Sequence, residues 1–314
     1  MVNKISFLFP GQGSQSIGMA KNLYDQYDVA RKIINDADKI LGFSLSKIMF
    51  EGPEEQLKDT SITQPALFVS SAAAFEVLME KGISAEVMAG HSLGEYSALY
   101  AAEVISYENA LKLVRARGVA MNEAGKSNSG TMAAIIGLEK NKLQEICADV
   151  TSRVGICALA NINSSSQIVI SGQKEAVLEA MTLAKTAGAA KVIELNVSGA
   201  FHSSLMKSAA DKMAEELDKV SFYDTSTPVV TNVDAQLTRN GKDFKRKLID
   251  QICQGVLWHD TMHTIASLSP DFFIEVGSGK VLSTMAKKFD RNKTCLCTDE
   301  IGEIDQVFAS LLSQ

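Results

Sequence analysis

Proline is scarce in this sequence, five residues in 314, so long polyproline linkers are excluded. Cysteines are few and odd in number: Cys147, Cys157, Cys253, Cys295 and Cys297. Their spacing fits no common zinc pattern, and the one close pair, Cys295-x-Cys297, has no histidine nearby. They read as reduced thiols of a cytoplasmic protein. Cationic excess is absent as well. Lys and Arg number 31 against 37 Asp and Glu, a formal net charge of −6. A general nucleic-acid binder needs a basic footprint that this composition lacks. No apolar run reaches the roughly 18 residues of a membrane span. The apolar stretch near the N-terminus is short and broken by Pro10 and Gly11, unlike a secretory signal. Neither nucleic acid nor membrane is expected as a partner.

What is present is an ordinary globular balance, 46% hydrophobic and 22% charged residues. At roughly 100–200 residues per domain, the length fits one large domain or two unequal ones. A short apolar strand, Lys4 to Phe9, ends at Pro10-Gly11. Helical patterning follows from Gly18 to Leu41, and a buried helix from Gln64 to Lys81. Glu86 to Ala89 reads as a strand entering Gly90, with helices over Glu95–Ala102 and Ser106–Asn122. Strands alternating with helices predict α/β layers on a parallel sheet. From Thr131 to Val197 the order changes to βαββαβ, a ferredoxin-like unit, with a turn at 163–166. The earlier style returns after it, with a helix over Met206–Val220 and strands at Pro228–Asn232 and Phe272–Val276. The expected organisation is a discontinuous large domain, 1–128 and 199–314, with a small domain inserted at 129–198.

The sharpest local signal is Gly90-His91-Ser92-Leu93-Gly94. It matches G-x-S-x-G, the nucleophile elbow, between a short strand and a helix. Glycines on either side of the serine leave room for close backbone approach. The helix that follows directs its N-terminal N–H groups at charge developing near Ser92, which makes the Leu93 N–H a natural oxyanion donor. Such a serine needs a base, and there are four histidines: His91, His202, His259 and His263. His91 is adjacent to Ser92, and consecutive residues at a sharp turn usually diverge. His259 and His263 read as a helical pair without a third metal ligand. His202 lies where the small domain hands the chain back, a plausible active-site wall.

Two more segments invite a role. Phe9-Pro10-Gly11-Gln12-Gly13-Ser14-Gln15 completes neither a Rossmann fingerprint nor a P-loop, but a Gly-rich turn at a strand's carboxyl end can present Gln12 to a ligand. Arg115 and Arg117, two apart on a helix, face different sides, so at most one looks into a pocket. An inward guanidinium would hold a carboxylate through paired hydrogen bonds.

Together these motifs resemble the malonyl-CoA:acyl carrier protein transacylase family, and more broadly the acyltransferase domains of fatty-acid and polyketide synthases. The marks are FPGQGSQ at 9–15, TQPALF at 63–68, GHSLGEY at 90–96, Arg117-Gly118 with Met121, NINSSSQIVISG at 161–172, AFHS at 200–203, PVVTNVDA at 228–235 and EVGSGKVL at 275–282. The resemblance implies an α/β, hydrolase-like large domain with a parallel sheet core and an inserted ferredoxin-like domain. It implies an S-malonyltransferase that moves a malonyl group from malonyl-CoA to the phosphopantetheine thiol of acyl carrier protein through an acyl-serine, without a cofactor or metal. Ser92 would be the nucleophile and His202 its base. The main-chain carbonyl of Gln251 would orient the histidine. The N–H groups of Gln12 and Leu93 would form the oxyanion hole, and Arg117 would hold the malonyl carboxylate, with Met121 beside it. Phe201 before His202 resembles the malonyl-selecting form of that motif.

The sequence departs from the family pattern at Gly255 and Ser278, where proline is common; Gly255 is expected to loosen the loop that carries Gln251. Docking of an acidic carrier protein would use Lys287, Lys288 and Arg291, or Lys245-Arg246-Lys247. A trans-acting polyketide-type transacylase and a serine thioesterase or hydrolase remain alternatives. The oligomeric state is open, a monomer being one option.

Overall fold

The computed structural model describes residues 3–312. Strand β1 (Ile5–Phe9) leads into α1 (Lys21–Gln26), α2 (Asp28–Leu41), α3 (Leu45–Glu51), α4 (Glu54–Lys58) and the long α5 (Thr60–Glu80). Then come β2 (Val87–Gly90), α6 (Gly94–Ala101) and α7 (Tyr107–Ser127). The middle of the chain forms β3 (Gly130–Ile136), α8 (Lys140–Arg153), β4 (Cys157–Ser164), β5 (Gln167–Gln173), α9 (Lys174–Thr186) and β6 (Lys191–Leu195). A single 3₁₀ turn at Ser204–Met206 precedes α10 (Lys207–Asp218), β7 (Val229–Val230), β8 (Leu237–Thr238), α11 (Gly241–Cys253) and α12 (Trp258–Ser267). The last elements are β9 (Phe272–Glu275), α13 (Val281–Phe289), β10 (Thr294–Cys297) and α14 (Ile301–Leu312).

Two sheets result. The larger runs β10-β9-β1-β2-β7-β8. Its first five strands are parallel and only β8 is antiparallel. The register pairs Phe9 with Gly90, so the loops after β1 and β2 leave the sheet side by side at its carboxyl edge. That edge is where open α/β sheets carry their sites. The smaller sheet, β4-β5-β3-β6, is antiparallel throughout, the ferredoxin-like order. Its strands show the period of two that a sheet covered on both faces requires. Ala133, Ile135, Ile168 and Ile170 pack against α8 and α9. Met132, Ala134 and Val169 join the main core instead.

Several elements differ from the expectations above. The stretch 18–41 is two helices, broken at Tyr27, whose backbone is extended. The short α3 and α4 were not anticipated, because neither is long enough to show a full apolar repeat. The 163–166 turn shrinks to Ser165 and Ser166, since β4 runs on through Ser164. Helix α5 starts four residues before the expected Gln64. Asp59 caps it by accepting from the Ser61 N–H at 2.8 Å, which lets the helix form ahead of Pro65. Proline removes the N–H that would bind the Ser61 carbonyl, and Arg115 donates to that carbonyl instead. This helix is also long and apolar enough, at a mean hydropathy of 1.4 over its best window, to cross a membrane by length and composition. That window is 83% buried inside the fold, so here it is a core helix, apolar all round because protein surrounds it.

Candidate active site

The elbow is built from close contacts that only glycine permits. A Cβ on Gly90 would fall 1.9 Å from Gly94, and one on Gly94 would fall 2.1 Å from the Phe9 carbonyl oxygen. The start of α6 therefore presses onto the end of β1. A Cβ on Gly11 would meet the His91 carbonyl at 2.4 Å, so the 9–15 turn lies directly on the elbow. Ser92 pays for its position with a left-handed backbone, φ 52°, a strain characteristic of functional turns. Asn232 holds that conformation. Its Oδ1 accepts from the Ser92 N–H at 2.7 Å, and its Nδ2 donates to the Gly90 carbonyl at 2.7 Å.

Ser92 Oγ lies 2.8 Å from His202 Nε2. The Nδ1 of the same ring lies 2.7 Å from the Gln251 carbonyl oxygen. A carbonyl can only accept, so Nδ1 carries the proton and Nε2 offers a lone pair to the serine. Burial, followed by the charge of Arg117, pushes the His202 pKa down to about 3. The imidazole is thus neutral at neutral pH, with its one proton on Nδ1 and Nε2 free to accept another. His202 too has a positive φ, 57°.

Arg117 is fully buried. Its Nη2 donates to Ser92 Oγ at 3.1 Å and to Gln251 Oε1 at 2.8 Å, and its Nη1 donates to Gln64 Oε1 at 2.9 Å. Its Nε has no partner. Among the described residues no carboxylate forms an ion pair with it. Gly118 places it: a Cβ there would lie 2.7 Å from the Thr60 carbonyl oxygen, so α7 crosses tightly over the start of α5. Arg115, two residues back, turns away and covers the Phe43 ring at 5.3 Å.

These groups line a cavity of about 130 Å³ between the two sheets. Met121, Phe201, Leu93 and Gln12 form part of its wall. Met132, Asn161, Leu195 and Val197 come from the smaller sheet and its exit. The N–H groups of Gln12 and Leu93 are engaged in no hydrogen bond among the described residues, and both belong to residues at the mouth of the elbow. His91 also lines the cavity, but its ring bonds Asn163 (Nε2 to Oδ1, 2.9 Å) and packs against the Trp258 ring. His259 and His263 meet each other and Phe289 edge to face, around a different hollow from that of Ser92.

Sequence reasoning missed three participants. Gln64, Asn232 and Glu95 all sit inside quoted motifs, TQPALF, TNVDA and GHSLGEY. Their roles depend on partners 53 to 156 positions away, which no local pattern reveals. The loop at Gly255 is not loosened. It is stitched to β4 by Val256 N–H to Ala160 O at 2.8 Å and Ile162 N–H to Val256 O at 2.9 Å. Nor is Lys247 a surface cation. It is buried, paired with Asp234 at 2.8 Å, and bonded to Thr231 and Thr238. Ser278 finds a polar partner in Ser70, Oγ to Oγ at 2.7 Å.

A family model for the acyl transferase domain matches residues 6–294. The chain belongs to the acyl transferase domain family. It is 45% identical over 310 residues to the malonyl CoA-acyl carrier protein transacylase of Bacillus subtilis, covering 99% of this chain and 98% of that one. An acyl carrier protein S-malonyltransferase structure from Vibrio cholerae superposes with a TM-score of 0.94 at 38% identity, over 97% of this chain and 99% of that one. A malonyl-transacylase in complex with its type II PKS acyl-carrier protein superposes equally well, at a TM-score of 0.94 and 36% identity, covering 98% of this acyl transferase domain and 99% of that chain.

Proposed function

We propose that this protein is a malonyl-CoA:acyl carrier protein transacylase, an S-malonyltransferase working through an acyl-serine. The observation that carries the reading is Arg117, a buried guanidinium that touches the nucleophilic oxygen and that, among the described residues, no carboxylate contacts directly. A buried charge with no carboxylate in contact is costly, and a malonyl ester on Ser92 supplies a direct partner. Its carboxylate lies one methylene beyond the ester carbonyl, within reach of a guanidinium that already contacts Oγ.

The chemistry follows from the geometry. Ser92 Oγ attacks the thioester carbonyl of malonyl-CoA while its proton passes to His202 Nε2. The carbonyl electron pair moves onto oxygen, where the Gln12 and Leu93 N–H groups receive it; removing one such donor typically costs about 10²–10³ in rate. The intermediate collapses, the C–S bond breaks, and the CoA thiolate takes the proton from His202. The phosphopantetheine thiol of acyl carrier protein then attacks the ester by the same steps in reverse. The Gln251 carbonyl keeps the imidazole in the required tautomer and accepts from Nδ1 throughout. Met121 and Phe201 close the apolar side of the acyl pocket. The limits 1–128 with 199–314 and 129–198 define the two domains in this reading, supported by the separate sheets. A cytoplasmic location belongs to it too, supported by five cysteines that are all free thiols.

A thioesterase would share the elbow and the histidine, but it has no use for a cation beside the nucleophile. Intact-mass measurement after mixing with malonyl-CoA tests the proposal. One malonyl adduct is expected, mapped to Ser92 and discharged by holo-carrier protein. Release as free malonate at a rate indifferent to the carrier would overturn it, and preference for a polyketide carrier over a fatty-acid carrier would select the polyketide variant.

A further inference from the structure

Nothing in the transfer steps uses Glu95, yet it is completely buried in the first turn of α6. Its Oε2 accepts from Gln251 Nε2 at 2.8 Å and from the Asn232 N–H at 3.2 Å. Its Oε1 has no partner among the described residues. The same Gln251 side chain accepts from Arg117 Nη2 at 2.8 Å through its own Oε1. One amide therefore links the carboxylate of Glu95 to the guanidinium of Arg117. The Gln251 Nε2 also donates to the Ser92 carbonyl at 2.9 Å, so the linkage runs under the nucleophile.

The charges around Glu95 can be counted. Arg117 reaches it from α7. Lys247 reaches it from α11, but Lys247 already has Asp234 as its counter-ion. Tyr96, next in α6, is buried and its phenol is pushed well above its ordinary range by burial, so it is neutral. His202, from the segment after the smaller sheet, is neutral as well. With the site empty, the cation of Arg117 and the anion of Glu95 balance. With a malonyl carboxylate on Arg117 there are two anions for one cation, and both Glu95 and Arg117 are fully buried. Low-dielectric surroundings resolve such a conflict by protonating one carboxylate.

We infer that Glu95 is the exchangeable counter-charge of Arg117, an anion while the site is empty and a neutral acid, having taken one proton from solvent, while a malonyl group is held. Glu95 is then a positioning residue that acts on selectivity through Gln251 and Arg117. The inference rests on the malonyl reading above. Two features favour it. A bare, unsolvated carboxylate oxygen costs the anion more than the acid. Burial also raises the Glu95 pKa to about 7, so both forms lie within reach at neutral pH.

The sign of the effect follows. Below that pKa Glu95 is already neutral, and the malonyl carboxylate binds without proton uptake. Above it, each unit of pH should weaken malonyl binding about tenfold, whereas an acetyl group, with no carboxylate, should show no such dependence. The test compares the pH profile of KM for Ser92 loading by malonyl-CoA with that by acetyl-CoA, in the wild type and in Glu95→Gln. The expected result is a KM for malonyl-CoA that rises from pH 7 to 9 in the wild type and stays flat in E95Q, with acetyl-CoA flat in both. Calorimetric titration in buffers of different ionisation enthalpy should show extra proton uptake for malonyl-CoA over acetyl-CoA. Equal uptake for the two substrates, or a slope that survives in E95Q, would overturn the inference. If E95Q fails to fold, the wild-type difference between substrates still decides. Failure of malonyl-CoA to load Ser92 at any pH would instead refute the transferase reading itself.

Discussion

Arg117 shows what a single side chain can reveal when its surroundings are followed to the end. A guanidinium with no exposure and no carboxylate partner is retained against its desolvation cost, and a dicarboxylic acyl group accounts for that. Truncating one partner of a buried, hydrogen-bonded charge pair costs about 2–5 kcal/mol. Arg117→Ala should therefore lower kcat/KM for malonyl-CoA by about 10²-fold or more relative to acetyl-CoA, measured by loading of Ser92 with each. The variant makes a second statement. The Arg117 charge is one cause of the low His202 pKa, and removing a nearby like charge raises a base's pKa. The acid limb of the acetyl-loading profile should move to higher pH in R117A. An unmoved limb would mean that burial alone sets the basicity of His202. Ser92 was legible as a candidate from its G-x-S-x-G setting, His202 because the chain has only four histidines, and Arg117 as one of two arginines on a helix and through the family motif. Glu95 was not, since a glutamate in the first turn of a helix ordinarily complements the dipole in water, and only its burial gives it another meaning.

At the scale of elements, the elbow depends on two backbones meeting. The carboxyl end of β1 and the amino end of α6 are in contact because Gly94 has no Cβ to separate them. Overpacking typically costs about 1–3 kcal/mol, and here the obstruction would be a main-chain carbonyl that cannot rotate aside. Gly94→Ala should shift the midpoint of urea unfolding downward. Its remaining folded fraction should load malonyl groups far more slowly, because α6 would carry the Leu93 N–H out of line. A variant as stable and as active as the wild type would show that the contact is compliant. Most of the secondary structure was readable at this scale from apolar periodicity. The exceptions have local causes. Helices α3 and α4 are too short to display a period, and the start of α5 depends on a cap at Asp59 and on a carbonyl freed by Pro65 and taken up by Arg115.

At the scale of the molecule, the cleft exists because the smaller sheet leans on the larger body. Met132, Ala134 and Val169 enter the main core, and the Asn161–Val256 bridge ties β4 to the loop after α11. That same α11 ends near Gln251, whose carbonyl fixes His202. Carrier docking belongs to this scale. Lys247 is buried, Arg246 beside it is exposed, and so are Lys287 and Lys288 in the last turn of α13. Lys288 lines a hollow with Asn163, the residue bonded to His91 beside the nucleophile. An acidic carrier approaching there would be steered by charge. Lys288→Glu should slow discharge of malonyl-Ser92 to holo-carrier protein by several-fold. Added salt should erase the difference from the wild type, as read by stopped-flow transfer. A variant that transfers as fast as the wild type at low salt would place docking elsewhere.

The chain by itself determined the class of the fold and the elbow, since each is written in local order: apolar periods and glycines two positions from a serine. The choice of His202, Arg117 and the Gln251 carbonyl came from the resemblance of its motifs to a family. Only the folded molecule decided that Arg115 turns away while Arg117 turns inward, that the Gln251 amide joins its carbonyl in the site, and that Asn232 and Glu95 brace the turn. Those are matters of what meets what between residues 25 to 156 positions apart in the chain. Burial, which turns an ordinary glutamate or lysine into something else, is a property of the surroundings and not of the residue.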